Sequence, residues 1–149
     1  LLAGTSVPVG REPFTSDSFD PMVGGVYTLI YDRHGFNASA RYRFNRDDDR
    51  TYVHAGAGDD DAVFLDSAYL WRLAPERYTA DTTGSWYAVL ESSYVYETSG
   101  NNELSLAPGL MYEGRTWAFE ASVLLPVWQD IDGRPEPEFG ATVGLRYFF

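Results

Sequence analysis

The sequence contains no cysteine and no lysine, and it has no long apolar run. Without cysteine there is no disulfide framework, no Cys-based metal site and no thiol nucleophile. No segment approaches the ~18 apolar residues of a membrane-spanning helix. The 11 basic residues, all arginine, are outnumbered by 22 acidic residues, so the net charge is −11. A nucleic-acid-binding protein needs a basic face to displace counterions, and nucleic acid is therefore excluded as a partner.

Aromatic residues are abundant instead. They make up 16% of the 149 residues, although the mean hydropathy is only −0.29. This content argues against disorder, and the length corresponds to one domain, which we assign to residues 1–149. A membrane β-strand needs only ~10 residues of alternating hydrophobicity, so short apolar runs do not exclude a membrane β-protein. No basic and apolar leader opens the sequence, and we expect a mature product or a fragment.

The dominant period of the sequence is two residues. Between Phe139 and Phe149, every second residue is apolar or aromatic, and most of the residues between them are small or polar. This alternation predicts strands with one apolar and one polar face, because successive side chains of a strand point to opposite sides. Eight such segments are predicted, at 1–9, 21–32, 36–44, 62–73, 85–97, 104–112, 117–125 and 139–149.

The connectors between these segments alternate in length. Long polar connectors lie at 10–20, 46–61 and 128–138, and short ones at 32–35, 100–102 and 113–116. All are rich in the Gly, Pro, Asn and Asp that turns require. The connector 74–84 is the exception, since it is longer than its place in the alternation predicts.

Isolated charges in the middle of the strands indicate whether the polar face is the solvated surface of a soluble sheet or the lining of a barrel. They are mixed in sign and separated by small residues, whereas the solvated face of a soluble sheet usually carries more charge. Such a face suits the lumen of a barrel, where each charge finds a partner. A soluble β-sandwich with an aromatic core is the alternative fold. The predicted lumen-lining residues are Arg41, Arg43, Asp66, Arg72, Glu91, Glu120 and Arg146.

Aromatic residues concentrate at the two ends of the predicted strands. Two aromatic girdles around a band of Ala, Val and Leu, with short turns on one side and long loops on the other, are typical of outer-membrane barrels. We therefore predict an all-β, antiparallel, up-and-down transmembrane β-barrel. One group comprises Tyr31, Phe36, Trp71, Trp86, Tyr112, Trp117, Tyr147 and Phe149, and the other Tyr42, Phe44, Tyr94, Tyr96, Trp128 and Phe139.

The last eight residues carry a recognisable motif. Thr142, Gly144, Tyr147 and Phe149 occupy every specified position of a pattern that runs polar, any, Gly, two of any kind, aromatic or apolar, any, and a terminal aromatic. The segment resembles the C-terminal assembly signal of bacterial outer-membrane proteins. That resemblance implies a Gram-negative outer-membrane location and recognition of the last strand by the barrel-assembly machinery.

The wider sequence resembles the family of outer-membrane proteins named for a phenol-degradation meta pathway and often labelled simply "transporter". The stretches that carry the resemblance are 3–10, 104–112, 117–130 and 143–147. The family's members are longer and have further strands ahead of the segment that matches Leu1. The resemblance therefore implies that this chain is the C-terminal portion of a barrel of about 12 strands, lacking N-terminal strands.

The same resemblance implies a porin-like channel or transporter for small solutes, aromatic or hydrophobic ones among them. Its expected partners are outer-membrane lipid, lipopolysaccharide and the solute, and no cofactor is expected. A complete barrel of ~8 strands is filled by side chains, whereas a wider barrel opens a channel. The charged lumen residues would therefore either line a solute path and set its selectivity or form a packed polar core. The alternative function is a non-conducting structural or adhesion barrel with acidic extracellular loops.

Two acidic runs and two histidines are the remaining candidates for chemistry. Asp47–Asp49 and Asp59–Asp61 offer oxygen ligands for Ca²⁺ or Mg²⁺, or for divalent ions that bridge lipopolysaccharide phosphates. Their spacing fits no calcium loop, which favours a solvated loop, and no metal site is predicted. His54 beside the acidic runs is an outside candidate for a barrel hydrolase, and His34 lies in a short turn. Loop histidines are more often solvated than catalytic, so we predict no catalytic residue and no enzyme.

Overall fold

A computed structural model describes residues 1–7, 19–46, 60–132 and 136–149. Within these ranges all regular secondary structure is β. No helix in the described ranges has the length and apolar character needed to cross a membrane. The eight strands are β1 (Leu2–Thr5), β2 (Pro21–Tyr31), β3 (His34–Arg43), β4 (Ala62–Ala74), β5 (Gly84–Glu97), β6 (Asn102–Gly114), β7 (Trp117–Asp130) and β8 (Gly140–Tyr147).

The strands form one sheet in the order of the sequence. Each strand pairs antiparallel with the next one, from β1 to β8. The predicted all-β, up-and-down arrangement of eight antiparallel strands is therefore confirmed. The two-residue turns at Asp32–Arg33 and Arg115–Thr116, with the connector 75–83, lie at one end of the sheet, called here the short-turn end. The opposite end of the sheet, where the connector 98–101 lies, is called the long-loop end after the long connectors predicted there.

The burial of the two faces is inverted relative to a soluble sheet. On the face called here the inward face, Ser105 is 4% exposed and Ser122 is 9% exposed. On the outward face, Leu90 is 45% exposed and Leu145 is 74% exposed. The buried apolar residues in the described ranges are small or β-branched, namely Ala62, Val89, Ala107 and Ala118, and the register places all of them on the inward face.

The sheet is strongly curved, and its inward face is concave. One cavity of about 310 Å³ is bounded by Asn37 from β3 and Leu124 from β7, together with residues of the three strands between them. In a flat sheet β3 and β7 would lie four strand spacings apart, or roughly 19 Å. Curvature therefore buries the polar side chains without a second layer of structure.

The end of β7 departs from the sequence prediction. Residues 128–130 were predicted to belong to a loop, but β7 continues to Asp130. Leu104 pairs with Trp128 and Ser105 pairs with Pro126, so Val127 is an extra residue in the ladder. A bulge is where a strand tolerates a proline, because proline has no N–H to donate. The strand therefore passes Pro126 instead of ending there.

Candidate functional site

All seven predicted lumen residues lie on the concave inward face. Residues that are partners in the register point to the same face of the sheet. Arg41 is the partner of Phe64 and Arg72 is the partner of Tyr87, and the inward residues of the other strands are aligned in the same way. This face is formed by the six strands β3 to β8, of which five carry the predicted charges and β6 contributes small residues such as Ser105 and Ala107. The seven charges are Arg41 and Arg43 on β3, Asp66 and Arg72 on β4, Glu91 on β5, Glu120 on β7 and Arg146 on β8.

Asp66 joins three strands at the centre of this face. Its carboxylate lies 2.9 Å from the Arg41 guanidinium and accepts hydrogen bonds from the hydroxyl groups of Ser39 (3.4 Å) and Ser93 (2.8 Å). The carboxylate is about one third exposed, so water screens part of the charge. Asp66 nevertheless fixes the positions of polar groups on β3, β4 and β5.

Two arginines of β3 pack on one aromatic ring of β4. The guanidinium carbons of Arg41 and Arg43 lie 5.0 Å and 5.4 Å from the centroid of the Phe64 ring. A cation over a ring face is attracted by the electrons of the ring. The Nε atoms of both arginines are buried and have no hydrogen-bond partner in the described part of the chain. Both arginines thus stack on Phe64, and Arg41 is also held by the carboxylate of Asp66.

A second ion pair lies on the last two strands. The Arg146 guanidinium of β8 contacts the Glu120 carboxylate of β7. Gly144 leaves room beside this pair, since a Cβ atom there would lie 4.0 Å from Glu120 Cβ. Glu91 lines the 310 Å³ cavity together with Asp66. The predicted face therefore contains two joined pairs and a cavity bounded by carboxylates and serine hydroxyls.

Aromatic rings meet each other on the outward face at both ends of the strands. At the short-turn end, the Tyr112 ring lies 5.1 Å from that of Trp86 and 5.0 Å from that of Trp117. At the long-loop end, the Tyr94 and Trp128 rings are stacked with centroids 6.4 Å apart. Trp86 and Tyr94 are eight residues apart on β5, which corresponds to roughly 27 Å along a strand.

The four residues of the C-terminal motif divide between the two faces. Thr142 and Gly144 point inward, whereas Tyr147 and Phe149 point outward with ring centroids 5.9 Å apart. The N–H of Phe148 donates to the carbonyl of Thr116 at 2.7 Å and continues the pairing beyond β8. The motif thus forms a paired strand with an aromatic outer surface.

The other predicted candidates are only partly described. Asp47–Asp49, Asp59 and His54 lie outside the described residues. Asp61 accepts hydrogen bonds from the hydroxyl of Tyr42 (2.6 Å) and the N–H of Asn45 (2.9 Å), which ties the start of β4 to β3. His34 opens β3 and its Nδ1 lies 2.6 Å from the Tyr69 hydroxyl. Within the described ranges, no group of three His, Asp or Glu side chains could hold a metal ion.

The sequence analysis missed an aromatic group at the short-turn end. The Tyr78 ring lies 4.2 Å from the Arg72 guanidinium carbon, and the Tyr78 hydroxyl is 2.7 Å from that of Tyr87. The pKa of Tyr78 lies below its usual value: burial raises it, but the hydroxyl groups of Ser85 and Tyr87 and the charge on Arg72 lower it by more. The only sequence signal for this group was the unexpected length of the connector 74–84.

Comparisons of the chain with protein-family models, with curated proteins and with solved structures found no match.

Proposed function

We propose that this chain belongs to an outer-membrane β-barrel that passes small solutes, aromatic or hydrophobic ones among them, through its polar interior. In this proposal the curved sheet is part of a closed wall, its outward face meets lipid, and its inward face lines the solute path. The C-terminal strand presents the motif that the barrel-assembly machinery recognises, and the long-loop end meets lipopolysaccharide. The protein is a channel without catalytic activity.

The inverted burial is the single observation on which the proposal rests. Leu90 and Leu145 are exposed, while serines and a buried arginine, Arg72, face the interior. In water such a surface would expose a contiguous apolar patch, which soluble monomers avoid. In a bilayer the same surface is the favourable one. At the strand tilt of about 35–45° in outer-membrane barrels, roughly 27 Å along β5 corresponds to about 19–22 Å along the membrane normal, which is comparable with their apolar band of about 25 Å.

The inward face supports a path for polar and amphipathic molecules. Its cavity is bounded by Asp66, Glu91, Ser93 and Ser105, so a solute would meet both charge and hydroxyl groups. The Phe64 ring beside Arg41 adds an apolar surface of the kind that aromatic molecules contact. Such a mixture of charge and aromatic surface determines selectivity in narrow pores.

The orientation of neighbouring residues on β7 gives a direct test of membrane insertion. Val123 is outward and exposed, while Leu124 borders the inward cavity. Because the chain has no cysteine, each introduced cysteine is unique. In vesicles we expect a fluorophore on Val123→Cys to be quenched by nitroxide-labelled lipid, and Leu124→Cys to react with a charged, water-soluble thiol reagent. Equal reaction of both cysteines with the water-soluble reagent would contradict insertion.

Conduction is tested by planar-bilayer recording and liposome swelling with the full-length protein. We expect single-channel currents and uptake of small solutes, because a polar path lined by charged groups lowers the barrier to crossing the bilayer. Refolding must be verified by the shift in gel mobility that heating of a folded barrel produces. A folded protein with neither conductance nor uptake would refute the channel and leave the structural or adhesion barrel.

Two variants that each remove one carboxylate, one in the cavity and one on the exposed surface, test whether ions pass along the inward face. Replacing Glu91, which lines the cavity, by Gln should lower the ratio of cation to anion permeability, whichever ion the wild type prefers. Replacing Glu138, which is exposed at the long-loop end, by Gln removes the same charge and should leave the ratio close to that of the wild type. Equal effects of the two substitutions would place the path elsewhere.

A further inference from the structure

The connector between β4 and β5 is longer than an antiparallel connection requires. Its neighbours at the short-turn end, Asp32–Arg33 and Arg115–Thr116, have two residues each, which is a common length for hairpin loops. The connector 75–83 has nine residues. The additional residues do not extend away from the sheet, because several of them contact its inward face and its neighbouring turns.

Tyr78 is a connector residue whose side chain contacts the inward face. Its ring lies 4.2 Å from the guanidinium carbon of Arg72, and its hydroxyl is 2.7 Å from that of Tyr87. Arg72 and Tyr87 are direct partners in the β4–β5 register and both point inward. The Tyr78 ring therefore lies across the short-turn end of the concave face.

Two arginines outside the connector hold it in this position. Arg33 donates hydrogen bonds to the carbonyls of Arg72 (2.9 and 2.7 Å) and Leu73 (3.0 Å), and it lies 3.6 Å from the carboxylate of Glu76. On the other side, Arg115 donates to the carbonyls of Ala80 and Thr82 at 3.2–3.4 Å. The connector is thus hydrogen-bonded to the β6–β7 turn through Arg115, whereas Arg33 bonds to the end of β4 and reaches the connector through the exposed carboxylate of Glu76.

The connector borders an open cleft at this end of the sheet. A cavity of about 300 Å³ lies between the connector and the β6–β7 hairpin, bounded by Tyr78, Ser85, Glu113 and Arg115. A water molecule takes up about 30 Å³ of liquid, so the space accommodates a small solute with some water. The edge of the cleft carries an aromatic ring, two charges and a hydroxyl.

We propose that the connector 75–83 forms the constriction of the solute path, and that the Tyr78 ring sets the size of the solute that passes. This inference rests on the proposed channel function. The position of the ring over Arg72 also gives the constriction an aromatic surface, which favours flat apolar or aromatic solutes over branched ones of the same mass.

The test compares three variants with the wild type in the full-length refolded protein. Tyr78→Ala removes the ring, Tyr78→Phe keeps the ring and removes the hydroxyl, and Asp81→Ala alters an exposed side chain of the same connector that does not line the cavity. For Tyr78→Ala we expect a conductance increase of about twofold or more, because the current through a narrow pore follows its open cross-section. Liposome swelling should show a larger size limit. Tyr78→Phe and Asp81→Ala should keep the wild-type size limit.

The outcomes separate this inference from the channel itself. If the wild type conducts and Tyr78→Ala has the same conductance and size limit, the constriction is refuted and the channel stands. If the wild type is silent and Tyr78→Ala conducts, the wild type is not a channel and both proposals fail. If neither conducts, both proposals fail. Should Tyr78→Ala not refold, Arg115→Ala, which releases the far side of the connector, is expected to raise the conductance in its place, and an unchanged conductance would refute the constriction.

Discussion

Replacing Leu90 by Arg is expected to destabilise the folded protein in a lipid bilayer by about 2–4 kcal/mol. Leu90 is 45% exposed on the outward face and lies midway between Trp86 and Tyr94 on β5. At the centre of the apolar band the arginine cannot reach water without distorting the lipid. The change corresponds to a decrease of the folding equilibrium constant by roughly 30-fold to 1,000-fold. Denaturant unfolding in phospholipid vesicles measures it.

The matched control is the same substitution nearer to the water. Tyr96 lies on the same strand and the same face, beyond Tyr94 at the long-loop end. The cost of an arginine on the lipid face falls to about 0–1 kcal/mol near the interfaces. Tyr96→Arg is therefore expected to change stability much less than Leu90→Arg. If both arginines are tolerated equally, the outward face is in water and the membrane proposal fails.

The faces of the strands could be predicted because they depend on local sequence alone. Leu90 and Glu91 are neighbours, and the strand period of two places them on opposite faces whatever the partners of β5 are. The eight strands followed from the same rule, which the sheet order confirms. The end of β7 was placed too early, because Pro126 usually breaks a strand and a bulge is not visible in a single strand's sequence.

The partners of the inward charges could not be predicted from the sequence. Asp66 contacts Arg41 and Ser93 only because the register of three strands brings them together. A slip of one residue would turn every side chain of a strand to the other face. The connector 75–83 is similar: its length was visible, but the contact of Tyr78 with Arg72 depends on how the chain returns over the sheet.

Replacing Gly24 by Ala is expected to destabilise the sheet by about 1–3 kcal/mol, as overpacking of a close contact does. Gly24 lies opposite Arg41 in the β2–β3 register, so it occupies the inward face of β2. A Cβ atom there would lie 3.0 Å from Arg41 Cα and still closer to the carbonyl oxygen of Ala40. Both are backbone atoms of β3, so the strand itself would have to shift. Because glycine has no Cβ atom, β2 and β3 can approach this closely where the sheet curves.

The neighbouring Gly25 provides the control, with an expected effect of the opposite sign. It points outward, and a Cβ atom there would have no heavy atom within 4 Å. Gly25→Ala should stabilise the protein by about 0.4–1 kcal/mol, because alanine reduces the conformational entropy of the unfolded chain. Unfolding of both variants in vesicles measures the difference. If Gly24→Ala is as stable as Gly25→Ala, then β2 and β3 do not approach as closely as described, and the curvature that forms the concave face is smaller.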